Sequence, residues 1–260
     1  MQHQSEESFF SGPILTADPE RPFLEHLEEL RRRILRCFLW IGLGTAVSLH
    51  YSHTIVNWLT QPAGKLVFLN PTEPLMVHLK AAFFGGLFLS MPLVTWEVWG
   101  FVAPALNSGE RKPVLFLMPL SAALFLCGSW FGWFIVVPTS LKFLLSFSSD
   151  SLVPMLTVGS YVTFASWLVI GCGLIFQMPM VVAFLARWGI LKPSTLLRQW
   201  RLAVVAIFIV AAILTPTPDV VNQTLLALPM IVLYIISVGV AFLVRRPGLR
   251  ENKEVLRESF

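Results

Sequence analysis

Long apolar segments separated by short polar connections make up most of the chain. Six such segments can be recognised, at residues 34–49, 75–103, 114–145, 162–185, 202–214 and 220–244. An apolar helix of about 20 residues crosses the ~30 Å hydrocarbon core of a bilayer, so six crossings are the simplest interpretation. We therefore predict an all-α, polytopic membrane protein with six transmembrane helices.

The fifth segment is the shortest. Its thirteen residues, at about 1.5 Å each, reach only ~20 Å. We expect the fifth and sixth helices to be short, which implies a thinned bilayer or a partner helix beside them. The connection at 51–74 is long and carries Pro62, Gly64, Pro71 and Pro74 among apolar residues, so we predict a structured cap there.

A charged amphipathic stretch precedes the first apolar segment. In residues 23–36, F-L-E-H-L-E-E-L-R-R-R-I-L-R, the side chains of Phe23, Leu27, Leu30 and Ile34 form one stripe at helical spacing, with charged residues around the rest. This pattern predicts an interfacial helix that continues directly into the first span.

The basic residues predict the orientation. Sixteen of the nineteen Lys and Arg residues lie before or at the start of the first span, in the second and fourth connections, or after the last span, and only Lys65, Lys80 and Lys142 lie on the other side. The positive-inside rule then places both termini in the cytoplasm. The predicted divisions are an N-terminal tail at 1–22, a membrane domain at 23–244 and a C-terminal tail at 245–260. The first residues lack the basic and apolar regions of a cleavable signal.

Composition agrees with a membrane protein. The chain is 55% hydrophobic and 13% charged, and its mean hydropathy is +0.71, well outside the range of soluble domains. The net charge of +4 is what the positive-inside rule produces, so it does not indicate a nucleic-acid partner. Cys37, Cys127 and Cys172 lie inside apolar segments without C-x-x-C spacing, and we expect small buried side chains rather than disulfides.

Motifs of several enzyme classes are missing. There is no G-x-x-x-x-G-K-[ST], no H-E-x-x-H and no G-x-S-x-G, which argues against an ATPase or a hydrolase. His50 and His53 could contribute to a metal site, but no third ligand is near them in sequence. We expect no catalytic activity, cofactor or metal.

Five motifs, in order along the chain, resemble the TatC family, the multi-spanning subunit of the twin-arginine protein translocase. They are H-L-E-E-L-R at 26–31, P-T-E-P at 71–74, P-A-L-N-S-G-E-R-K at 104–112, F-Q-M-P at 176–179 and T-P-T-P-D-V-V-N-Q at 215–223, the last one residue longer than the family's T-P-P-D. The resemblance implies a receptor and scaffold that exports folded proteins by the proton-motive force. It also implies twin-arginine signal peptides, the single-span subunits TatA and TatB and further copies of the chain as partners. The missing transit peptide favours the cytoplasmic membrane of a prokaryote over an organelle membrane.

The same resemblance implies a site for the signal peptide. A guanidinium group is bound bidentately by carboxylates, and the family's signal-recognition acids correspond to Glu29 and Glu110. The neighbouring motif positions assigned to this site are Leu30, Arg31, Phe101, Pro104, Leu106 and Arg111. From spacing alone a different role is favoured for Glu29, because Glu28 with Arg32 and Glu29 with Arg33 form i, i+4 pairs that stabilise a helix.

Two polar residues inside the predicted membrane region stand out. Ionisable groups there are rare and usually functional. The family typically has Glu at the position of Gln177 and commonly Gln at that of Glu97, so the two are exchanged in this chain. Our hypothesis is that they meet across a cavity as one carboxylate hydrogen-bonded to one amide, and that either helix can carry the carboxylate. The alternative is that Glu97 reaches the headgroups and Gln177 bonds to a backbone carbonyl.

The turn before the last span contains candidate contacts for a partner helix, Thr215, Asp219 and Gln223. Capping of the sixth helix explains Asp219 without a partner. A different function class also stays open at this point, a proton-coupled secondary transporter of a small solute that uses Glu97, although the chain shows no repeated halves. A third reading is a purely structural membrane subunit.

Overall fold

Ten α-helices contain most of the residues described by the structure, a computed structural model that covers residues 21–102, 111–148, 155–187, 189–215 and 220–244. In chain order these helices are α1 (Arg21–His50), α2 (Ser52–Thr60), α3 (Glu73–Val102), α4 (Arg111–Phe131), α5 (Val137–Leu145), α6 (Val158–Ile175), α7 (Met178–Arg187), α8 (Pro193–Arg198), α9 (Trp200–Leu214) and α10 (Val220–Val244). The all-α prediction is confirmed.

Each of the six predicted apolar segments forms helix. Four spans are long and apolar enough to cross a membrane, Glu73–Phe101, Met118–Leu145, Val158–Arg187 and Val220–Val244, and α1 meets the same test together with α2, from which it is bent by 79°. The fifth segment, in α9, is apolar, but this helix has only 15 residues. The amphipathic stretch is continuous with the first span, as predicted, because α1 runs without a break for 30 residues.

The two helices expected to be short differ in length. The 15 residues of α9 reach about 22 Å, less than the thickness of a bilayer core. By contrast, α10 has 25 residues, or about 37 Å, so of the two only α9 is short. Pro229 lies inside α10 and does not end it, since neighbouring groups can satisfy the backbone that a proline frees in a membrane helix.

Two spans are irregular. In the third, a π-helical turn at Gly132–Val136 joins α4 to α5. The fourth breaks between α6 and α7, and Gln177 lies at the break. Pro179 explains this break, because its ring would clash with the carbonyl of Ile175 in a continuous helix.

The connection between α1 and α3 is a structured cap, as predicted. It contains α2 and a 3-10 turn at Gln61–Ala63, and it pairs with the chain just before α6. Val67 donates its N–H to the carbonyl of Leu156 at 3.1 Å and accepts from the N–H of Val158 at 3.0 Å. We call this end of the bundle the cap side, and the opposite end, where α1 begins and α3 ends, the N-terminal side.

Glu73, the first residue of α3, fixes the cap to the helices. One carboxylate oxygen accepts from the N–H of Leu69 and the other from the N–H of Gly159, each at 2.9 Å. Gly159 lies in the first turn of α6, where unpaired N–H groups and the helix dipole favour a carboxylate. The P-T-E-P motif therefore joins α3, the cap and α6.

Close backbone contact joins α1 to α3. A Cβ atom at Gly86 would lie 2.3 Å from the backbone nitrogen of Thr45 and one at Gly44 would lie 2.6 Å from the carbonyl oxygen of Gly86. Small residues allow membrane helices to approach in this way.

Among the cysteines, Cys172 is buried as expected, whereas Cys127 is exposed on the outward face of α4, where lipid would solvate an apolar side chain.

Candidate functional site

A cluster of charged side chains joins α1 to α3 on the N-terminal side. Arg33 donates from Nε and Nη2 to one carboxylate oxygen of Glu29, at 3.0 and 2.7 Å. Its Nη1 donates to Oε2 of Glu97 at 3.2 Å and to the Glu97 carbonyl oxygen at 3.3 Å. A single guanidinium therefore connects a carboxylate on α1 to a carboxylate on α3.

Glu97 is buried at the centre of this cluster. The residue is only 7% exposed, and its Oε2 also accepts from Nη1 of Arg36 at 3.4 Å. Burying a carboxylate is costly unless cations and hydrogen bonds compensate it, and two guanidinium groups do so here. Glu97 is therefore compensated by side chains of α1, and the alternative that it reaches the headgroups stays a prediction.

Gly100 provides the space for this contact. It lies one turn after Glu97 on α3, and a Cβ atom there would lie 2.3 Å from Nη1 of Arg33. The Arg33 guanidinium thus rests directly on the backbone of α3, with its side chain only 20% exposed.

Gln177 has different partners. Its side-chain oxygen accepts from the hydroxyl of Ser121 at 2.6 Å, and its Nε2 donates to the Ser121 carbonyl at 2.7 Å. The hypothesis that Glu97 and Gln177 bond to each other is wrong, because each is satisfied by an adjacent helix, Glu97 by α1 and Gln177 by α4. The alternative for Gln177, a bond to a backbone carbonyl, is confirmed.

The acids of the H-L-E-E-L-R motif differ in their surroundings. The Glu29 side chain is 32% exposed and paired with Arg33, whereas Glu28 and Arg32 are mostly exposed and 4.0 Å apart. The i, i+4 contacts inferred from spacing are therefore present. They leave part of the Glu29 carboxylate accessible from outside.

The other residues assigned to the signal-peptide site are only partly described. Leu30 and Phe101 are partly buried and Arg31 is exposed, while Arg111 is the first residue of α4. Glu110, Pro104 and Leu106 lie outside the described residues. Of the residues assigned to this site, the structure connects Glu29 to α3 through the Arg33 guanidinium.

The proposed partner-contact residues form hydrogen bonds within the chain. Thr215 donates to the carbonyl of Ala211 at 3.0 Å, and Nε2 of Gln223 donates to the carbonyl of Phe208 at 2.9 Å. Asp219 lies outside the described residues. These two polar side chains thus have partners without a second protein, and their contact with a partner helix stays a prediction.

Sequence reasoning missed Arg33 and Arg36 as partners of Glu97. The i, i+4 spacing revealed the contact of Arg33 with Glu29, but Arg33 and Glu97 are 64 positions apart. The available signal was physical: a buried acid at the end of α3 needs a cation, and basic residues are concentrated at the same end of α1. Within the described residues no group of three His, Cys, Asp or Glu side chains could hold a metal.

The fold and this cluster define a polytopic helical membrane protein in which ion pairs join α1 to α3. Comparison with known proteins identifies the family. The family model for the Sec-independent protein translocase protein (TatC) matches residues 25–229. The chain belongs to the TatC family, and so to the components of a protein translocase, which are not enzymes.

Individual relatives agree with this assignment. The chain is 42% identical over 242 residues to the TatC protein of Koribacter versatilis, covering 89% of each chain. It is 39% identical over 228 residues to that of Carboxydothermus hydrogenoformans, covering 86% of this chain and 94% of the relative. A crystal structure of a twin-arginine translocase receptor, TatC, superposes with a TM-score of 0.77 at 33% identity, covering 85% of this chain and all of that one.

Proposed function

We propose that this chain is the receptor for twin-arginine signal peptides and the core scaffold of a Tat translocase, which exports folded proteins by the proton-motive force. The observation that carries the proposal is the Glu29 carboxylate. It is partly exposed and already binds a guanidinium through two N–H groups, Nε and Nη2 of Arg33. A signal-peptide arginine would use the same donors.

The charge distribution supports a cytoplasmic location of this site. Arg31, Arg32, Arg33 and Arg36 lie on α1 around Glu29, and the positive-inside rule places such a cluster in the cytoplasm of a prokaryotic cell. Both termini and Glu110, in the connection after α3, then share that side. The signal peptide would bind between α1 and this connection.

The outward face of α9 supports assembly with single-span subunits, which we assign to TatA and TatB. Large apolar side chains at helical spacing are exposed there: Leu202, Val205, Ile209 and Ile213. Since α9 is shorter than the bilayer core is thick, a partner helix beside it would bury these apolar side chains. It would also reduce the cost of the difference between helix length and bilayer thickness. Further copies of the chain complete the proposed assembly, since one small bundle cannot enclose a folded protein.

Binding of a labelled signal peptide tests the receptor role. The purified protein in detergent is mixed with a twin-arginine peptide or its twin-lysine version, using wild type, Glu29→Ala and Glu110→Ala, with Glu28→Ala as the matched control on the exposed neighbour. We expect wild type and Glu28→Ala to prefer arginine and the other two variants to lose that preference. Equal, weak binding of both peptides by all four proteins would reduce Glu29 to a helix-stabilising residue and end the proposal.

A transporter function is less well supported than it was from sequence alone. Glu97, its required proton-carrying group, is held by two guanidinium groups between α1 and α3, and the family is that of a protein translocase.

A further inference from the structure

One oxygen of the carboxylate that a signal peptide needs is occupied by a side chain of the protein itself. We propose that Arg33 is an internal occupant of the twin-arginine site and that Glu97 is the positioning residue that retains Arg33 when a signal peptide takes its place on Glu29. This inference rests on the proposed function, because it concerns how that site exchanges one guanidinium for another.

The geometry allows the exchange because Arg33 uses separate atoms for its two partners. Nε and Nη2 contact Glu29, while Nη1 contacts the side chain and the carbonyl of Glu97. If an incoming guanidinium takes over the Glu29 oxygen, Arg33 keeps its two contacts with Glu97. Its charge then stays paired, whereas an unpaired cation that is mostly buried would oppose the exchange.

Glu97 acts through Arg33 and not on the peptide. It is 7% exposed, so a peptide on the surface of α1 does not reach it. Its second cation, Arg36, keeps it compensated in a variant that lacks Arg33. Gly100 completes the arrangement, since any larger residue would push the Arg33 guanidinium away from α3.

The exchange also explains a preference for arginine over lysine. The site accepts two N–H groups of one planar guanidinium on a single carboxylate oxygen. An incoming arginine reproduces both donors, but an ammonium group cannot reproduce the planar pair. A lysine peptide would therefore displace Arg33 poorly.

A double-mutant cycle on peptide binding tests the proposal. Affinity for a labelled twin-arginine peptide is measured in wild type, Glu97→Gln, Arg33→Gln and the double variant, with Arg32→Gln as the matched control, because Arg32 lies 4.0 Å from its own acid, Glu28, and is exposed. We expect Glu97→Gln to weaken binding about tenfold, the size of one charge-assisted hydrogen bond. Arg33→Gln should bind several-fold more tightly than wild type with a lower preference for arginine over lysine, and Arg32→Gln should bind like wild type.

The decisive comparison is the effect of Glu97→Gln on peptide affinity when Arg33 is absent. We expect the double variant to bind the peptide as tightly as Arg33→Gln alone. An equal loss with and without Arg33, or an Arg33→Gln variant as weak as Glu29→Ala, would overturn the proposal. Should Glu97→Gln fail to fold, Arg33→Gln alone still decides whether Arg33 competes with the peptide, because Glu97 keeps Arg36 in that variant.

A measurement without peptide separates this proposal from the receptor function. The melting temperatures of Glu29→Gln, Glu97→Gln and the double variant are compared in the presence of Arg33 and in the Arg33→Gln background. We expect the losses in melting temperature to be non-additive when Arg33 is present and additive when it is replaced. The reason is that the proposal couples the two acids through their shared contact with the Arg33 guanidinium. Additive losses in both backgrounds would overturn the bridge from Glu29 through Arg33 to Glu97. Failure of wild type to distinguish the two peptides would overturn the receptor function and leave that bridge standing.

Discussion

Glu73 and Glu97 lie at opposite ends of α3, and their hydrogen-bond partners differ in kind. Glu73 accepts from two backbone N–H groups, those of Leu69 and Gly159. Glu97 accepts from the side chains of Arg33 and Arg36. Backbone donors cannot leave without moving the chain, but a guanidinium can rotate to another acceptor. The cap side is therefore held by backbone hydrogen bonds, whereas the N-terminal side is held by ion pairs whose side chains can change partners.

The largest expected effect comes from separating α1 from α3. Gly86→Ala would place a methyl group against the backbone of Thr45, and overpacking of this kind costs about 1–3 kcal/mol. We expect a lower melting temperature in detergent and loss of the preference for arginine peptides, because Arg33 would move away from Glu97.

The same substitution at Gly42 is the control, since a Cβ atom there meets nothing within 4 Å. Gly42→Ala should leave stability and peptide binding as in wild type. If both variants behaved alike, close contact between α1 and α3 would not matter for either end of α3.

Glu73→Gln addresses the cap side alone. The amide keeps one acceptor but presents an NH₂ group to one of the two backbone donors, so the connection from the cap to α6 weakens. We expect a smaller fall in melting temperature than for Gly86→Ala, with the preference for arginine over lysine peptides retained. A loss of that preference as complete as in Glu29→Ala would show that the two ends of α3 are not independent.

Local patterns were sufficient to predict the helices. The apolar segments predicted the spans, and the charged amphipathic stretch predicted the start of α1. The glycines and prolines at 51–74 likewise predicted a structured cap. The expectation that the sixth helix is short was wrong, although the apolar segment at 220–244 already had the full length of α10. The π-helical turn at Gly132–Val136 was not predictable, because it has no signature in hydropathy.

The candidate site was predictable only where its contacts are local. Spacing on one helix predicted the contact of Glu29 with Arg33. The contact of Arg33 with Glu97 depends on how α1 lies across α3, which is decided by the close approach at Gly86 and by the space at Gly100. Pairing Glu97 with Gln177 failed for the same reason, because each side chain bonds to whichever helix lies against it.

The pair of bonds between Ser121 and Gln177 should contribute less than the helix contact. Ser121→Ala removes the hydroxyl that donates to the Gln177 oxygen, and one such bond is worth about 1 kcal/mol. We expect a modest fall in melting temperature without a change in peptide preference. Ser90→Ala is the control, a buried serine whose hydroxyl bonds to the Leu87 carbonyl on its own helix; an equal fall there would mean that the tie to Gln177 adds nothing.

The smallest expected effect is the coupling between Glu97 and Gln177. Their hydrogen-bond partners differ, the two arginines of α1 for Glu97 and Ser121 for Gln177, and the effects of substitutions without shared partners add within about 0.5 kcal/mol. The melting temperatures of Glu97→Gln, Gln177→Leu and the double variant should therefore show additive losses. A larger coupling would mean that the helices between the two residues link their effects on stability. Glu97 and Gln177, whose residue types are exchanged relative to the family, would then belong to one site. Additivity would instead make the acid on α3 a partner for arginines of α1 and the amide on the fourth span an independent contact at a helix break.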